Sequence, residues 1–166
     1  MSIAEQQIEN TANSAVKTCF GGPEGQDALV LAEKALEASK NQEIILHIAL
    51  DDGRVEVLKD LLAFFAPEIE VIDFPAWDCL PYDRVSPTND IVSRRVAALS
   101  RLLAWQQDEK YLSRILLTTV NAATQRVTPQ EVLGQSSFHA EVGSSVDVKQ
   151  LQSYLMGNGY VRTETV

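Results

Sequence analysis

The sequence predicts an α/β fold built on a parallel sheet, with helices on both faces. Helical and extended patterns alternate from residue 27 to residue 128, the signature of parallel strands joined by right-handed crossover helices. The extended runs are short and almost wholly apolar, as strands covered on both faces are. The 166 residues are 45% hydrophobic and 22% charged, an ordinary globular balance in a chain long enough to bury a core without staples.

Residues 1–26 form a polar N-terminal arm that ends in a glycine-rich turn, Gly21, Gly22, Pro23 and Gly25. Residues 27–40 read as a helix, with Leu29, Ala32 and Leu36 on one side and Glu33, Lys34 and Glu37 on the other. Asn41 stops it. EIILHIAL, 43–50, is a strand of the kind buried on both faces. Asp51 and Asp52 can cap the next helix, whose inward positions are Val55, Leu58, Leu61, Leu62 and Phe65 and which Pro67 ends. IEVIDF, 69–74, is a second strand. A loop with Pro75, Pro81 and Pro87 follows, then a long helix over 90–107 entered through Thr88 or Asn89. RILLTTV, 114–120, is the third strand, and 121–126 make a short helix closed by Pro129.

Beyond Pro129 the texture changes. QEVLG is a helical turn. SSFHAEVGSSV, 136–146, reads as a strand bent at Gly143. A helix follows, with Val148, Leu151, Leu155 and Met156 facing inward, stopped by Gly157, Asn158 and Gly159. YVRTETV starts another strand, with Val161 toward a small core and Tyr160 and Arg162 facing out. That strand breaks off in mid-pattern, so 129–166 is expected to be the beginning of a small α+β domain, truncated.

Charge excludes some functions. The formal net charge is -9. Residues 1–75 hold 14 acidic and 5 basic side chains, and the remainder holds 9 of each. Nonspecific grip on nucleic acid needs a basic stripe, and the first half is its opposite. Cys19 and Cys79 suggest neither a zinc site nor a disulfide framework. The N-terminus lacks the basic and apolar regions of a signal peptide, and no run reaches the roughly 20 apolar residues of a membrane span. A cytoplasmic location and no membrane partner are expected.

The motifs offer little chemistry. FGGPEGQD precedes a helix as a phosphate loop does, but Gln26 stands where the lysine belongs and Asp27 where the hydroxyl belongs. The plain reading is a glycine-bearing turn into a helix capped by Asp27. His47 and His139 have no metal-ligand neighbours at useful spacing, and neither cysteine has a base partner. No catalytic, cofactor or metal residue is assigned. Arg94-Arg95 reads as a solvated helix face before it reads as a docking face.

One string is specific. FPAWDCLPYDRVSPTNDIVSRRVAALSRLL, 74–103, holds Phe74, Pro75, Trp77, Leu80, Pro81, Tyr82, Asp83, Ser86, Pro87, Asp90, Ile91, Ser93 and Arg95. It resembles the N-terminal module of the bacterial transcription-repair coupling factor (Mfd), and TTVNAATQRVTP, 118–129, looks like the next landmark of that family. The module is itself similar to the excision-repair protein UvrB. The resemblance implies an α/β lobe over 27–128, three-layered with a degenerate phosphate loop, and then the start of an inserted domain that docks UvrA. It implies that Arg162, beside Tyr160, is a partner-binding residue. It implies a non-catalytic recruitment module without cofactor. The parent would be an ATP-dependent DNA translocase that displaces stalled RNA polymerase, with ATP, magnesium, polymerase and double-stranded DNA bound by other domains. Two rival expectations stand beside it. One is a cryptic α/β enzyme using Asp51, Asp73 and Asn121 at the strand C-terminal ends. The other is a purely intramolecular structural or autoinhibitory module with Arg162 buried.

Overall fold

The computed structural model describes residues 21–80, 84–108, 112–135, 142–143 and 145–163. Three strands form one parallel sheet in the order β1-β3-β2, with β1 at Ile45–Ala49, β2 at Glu70–Phe74 and β3 at Arg114–Thr119. Ile115 sits between Ile45 and Val71 in register. This is the predicted α/β class.

The sheet has a helical layer on each face. Helices α1 (Gln26–Ala38) and α2 (Asp52–Phe65) cover one face. There Ala28, Ala35, Leu58, Leu62, Ile115 and Leu117 are fully buried. Helix α3 (Asn89–Gln107) covers part of the other, around Phe74, Ala98 and Ala122 with Ile72, Leu99 and Leu116. Alternate residues of β3 therefore serve opposite cores, as period two demands.

Several expected faces differ. Helix α1 buries Ala28, Ala32, Ala35 and Ala38, while Leu29 and Leu36 point outward. Alanines let α1 lie close on α2, and that closeness leaves no room for leucine. Asp27 is not the cap. The cap position is Gly25, at a φ of 84° that favours glycine, and Asp27 lies in the first turn. Helix α2 is capped as expected, the Asp51 carboxylate accepting from the Arg54 N–H at 2.7 Å. Phe65 is not inward. It lies in the last turn and half emerges beside the exposed Phe64. Strand β1 is not covered on both faces, because α3 packs on β2 and reaches β3 at Leu116 but stops short of β1.

After β3, Thr119 caps the short helix α4 (Val120–Ala123). Helix α5 (Gln130–Gln135) rests on α3, with Leu133 buried and the Gln130 amide donating to Gln106 at 2.6 Å. Most of the expected strand over 136–146, His139 included, lies outside the described residues. Gly143 makes the expected bend, at φ 91°. Helix α6 (Val148–Gly157) is capped by Asp147 and has no buried residue. Val148 and Met156 are exposed rather than inward, and Leu151 and Leu155 are half-buried. No helix among the described residues is long and apolar enough to cross a membrane.

Candidate docking surface

The segment expected to meet a partner begins where α6 ends. The Tyr160 N–H donates to the Leu155 carbonyl at 3.0 Å and the Gly159 N–H to Met156 at 3.2 Å. With Gly159 at φ 84°, this is a Schellman stop. It fixes the direction in which the chain leaves the helix. Residues 160–163 then form no regular structure, which corrects the strand reading over those positions. Tyr160 and Arg162 are exposed, as expected, but Val161 is 85% exposed and enters no core. The three side chains stand together in solvent at the end of an anchored turn.

The proline-rich loop is organised by a residue that the sequence reading placed at the surface. Arg95 is 2% exposed. Its guanidinium lies 4.2 Å from the Phe74 ring centroid and 4.3 Å from that of Trp77. One terminal nitrogen donates to the Pro75 carbonyl at 2.6 Å and to the Gln125 side-chain oxygen at 3.2 Å. That same Gln125 oxygen accepts from the Trp77 N–H at 2.9 Å. Phe74, Pro75, Trp77, Arg95 and Gln125 are thus one physical unit drawn from three stretches of sequence. Asp78 holds the far end of the loop by accepting from the Thr88 N–H at 3.2 Å. Leu80 is 74% exposed, so it does not pack back on the lobe. Tyr82 lies outside the described residues.

The strand ends do not assemble a reactive site from the three expected residues. Asp51 is occupied as a helix cap, and Asn121 is exposed on α4. Asp73 is ion-paired with Arg94 and with Lys59, the latter at 3.2 Å, while Arg94 also reaches Glu56. Burial by itself would raise the Asp73 carboxyl, but Arg94 and Lys59 outweigh it and hold it below the usual carboxylate range. Asp73, Glu56, Arg94 and Trp77 line a cavity of about 180 Å³. The carboxylate there is neutralised, which suits a tie between elements better than a general base.

The glycine turn is filled by its own side chains. Gln26 folds back over Gly22, where an added Cβ would meet its side-chain oxygen at 2.3 Å. Asp27 accepts from the Ala28 N–H at 3.0 Å and pairs with Arg54 at 2.5 Å. His47 stands near this pair, and burial pushes its imidazole below the ordinary value, with Asp27 pulling upward and Arg54 downward. Among the described residues no group of His, Cys, Asp and Glu could hold a metal. Cys79 is half-buried and forms no disulfide.

A three-layer α/β lobe with a braced proline-rich loop is the class of structure that these residues define. No protein-family model matches the chain. Seven curated proteins do match, each a transcription-repair coupling factor. The Haemophilus influenzae protein is 28% identical over 142 residues, 86% of this chain and 12% of its own length. That of Escherichia coli K12 is 28% identical over 129 residues, covering 78% and 11%, and that of Myxococcus xanthus is 30% identical over 127, covering 72% and 10%. The chain is thus homologous to one part of the bacterial transcription-repair coupling factors, as its motif string indicated. It spans about a tenth of the length of the relatives it matches.

Proposed function

We propose that this chain is the UvrB-like recruitment module of a transcription-repair coupling factor and that it docks UvrA through the segment holding Tyr160 and Arg162. The observation that carries the reading is the homology to that one protein type over most of the chain. The geometry supports it in two ways. Tyr160 and Arg162 are solvent-facing at a fixed helix stop, and Tyr and Arg are enriched at binding hot spots. The titratable groups at the strand ends are occupied in caps and ion pairs. In this reading 129–166 opens the docking insert, with α5 as its foot on the lobe. The parent is an ATP-dependent translocase that clears stalled RNA polymerase from DNA through other domains, in the cytoplasm.

The test is capture of UvrA by this chain and by a version extended through the whole insert. Arg162→Ala is expected to weaken binding by about 2 kcal/mol, the hot-spot threshold, with the melting temperature unchanged. Arginine can grip a carboxylate with two parallel hydrogen bonds, so Arg162→Lys should recover only part of the loss. Unchanged affinity, or a loss matched by unfolding, removes Arg162 from the interface.

A further inference from the structure

Helix α6 ends on Asn158-Gly159, the sole Asn-Gly pair among the six asparagines of the sequence. Both residues are exposed, and Gly159 has no Cβ to keep its amide nitrogen away from the asparagine side chain. Hydrogen bonds restrain the pair. The Asn158 side-chain amide donates to the Tyr154 carbonyl at 2.8 Å, and the Gly159 N–H donates to Met156 at 3.2 Å. These bonds engage both the nitrogen that could attack and the amide that it would attack. They last only as long as the last turn of α6, and α6 has no buried residue. An element with few buried apolar contacts opens locally at little cost.

We propose that Asn158 is a site of spontaneous deamidation, gated by opening of the last turn of α6. Once the turn opens, the Gly159 nitrogen gives its proton to hydroxide and attacks Asn158 Cγ. The Cγ–Nδ2 bond breaks, and Nδ2 takes a proton and leaves as ammonia. The product is a cyclic succinimide. Water then opens the ring. Attack at Cγ gives aspartate, and attack at the backbone carbonyl gives isoaspartate, whose main chain runs through the side-chain carbons. The net change is amide and water to carboxylate and ammonium, with no oxidant or reductant. Either product weakens the helix stop. Aspartate sets a negative charge at the negative end of the helix dipole. Isoaspartate lengthens the main chain ahead of Gly159, so the bonds from Gly159 to Met156 and from Tyr160 to Leu155 lose their register. Tyr160 and Arg162 then leave the helix in no fixed direction.

Peptide mapping by mass spectrometry tests this on the full, folded chain, held in mildly alkaline buffer and sampled over days. Conversion at Asn158 is expected to run about tenfold or more faster than at Asn41 or Asn121, which precede Gln42 and Ala122 and so face a Cβ. Gly157→Ala reads the gate. An alanine there meets no neighbouring atom and favours the helical turn, so conversion should slow by about twofold to fivefold. Hydrogen exchange over 155–160, measured on both proteins, reports the opening itself. Equal rates at the three asparagines overturn the proposal. So does a conversion rate at Asn158 that does not follow the exchange of the last turn from one protein to the other.

Discussion

Arg95 shows how a charge becomes part of a core. Its neighbours supply part of what water would otherwise give: two ring faces, a backbone carbonyl and an amide oxygen, while its buried Nε has no hydrogen-bond partner. Burial lowers its pKa from the usual guanidinium value. A desolvated cation over an aromatic face is worth about 2 kcal/mol, and a hydrogen bond to a charged group about 1.5–3. Arg95→Ala is therefore expected to destabilise the chain by about 3 kcal/mol, and Arg95→Lys to recover little, since an ammonium cannot lie flat between two rings. Trp77→Ala should cost about 2 kcal/mol, because Trp77 is half-buried and Arg95 loses one of its two faces. Denaturant titration checks both. Stability unchanged in either variant would show that the loop does not brace the lobe. The sequence held the parts of this unit but not their meeting. Two adjacent arginines on a helix look solvated, and only the partners 20 and 30 residues away reveal that one of them is not.

At the scale of elements, legibility followed the strength of the local signal. Strand β3 and the capping of α2 were readable because an apolar run and an Asp before a helical stripe are local facts. The inward side of α1 was not. Leu29 and Leu36 outweigh Ala28 and Ala35 on any hydrophobic scale, yet close approach to α2 selects alanine. The exposure of Leu46 and Ile48 was equally hidden, because coverage of β1 depends on where α3 lies. Ion pairs then lock the elements. Asp73 on β2 ties Lys59 of α2 to Arg94 of α3. Its pKa is held below the ordinary 3.8, so the carboxylate contributes stability above about pH 4 that disappears as pH falls through the lowered folded value. Asp73→Asn should destabilise by about 1 kcal/mol at pH 7, since both cations are partly exposed and screened. It should also flatten the acid limb of the stability curve. Equal slopes for both proteins below pH 4 would show that the pair does not link the elements.

For the whole molecule, the open question is whether the lobe retains any nucleotide function. A phosphate loop works because bare backbone N–H groups at a helix N-terminus face the phosphates, a lysine reaches the outer oxygens, and a hydroxyl holds magnesium. The first requirement is compromised because Gln26 folds over Gly22. The second fails because Gln26 stands where the lysine belongs, and Arg54 is committed to Asp27. The third fails because Asp27 carries a negative charge where a neutral hydroxyl is needed. The surrounding half of the chain, with 14 acidic residues against 5 basic ones, adds repulsion at longer range. We therefore expect no heat of binding when magnesium-ATP is titrated into the chain in a calorimeter. Asp27→Ser alone should not create binding, because it releases Arg54 without clearing Gln26. Micromolar affinity in the unaltered chain, abolished by changing Gln26, would sink this prediction and return the glycine turn to service as a nucleotide site.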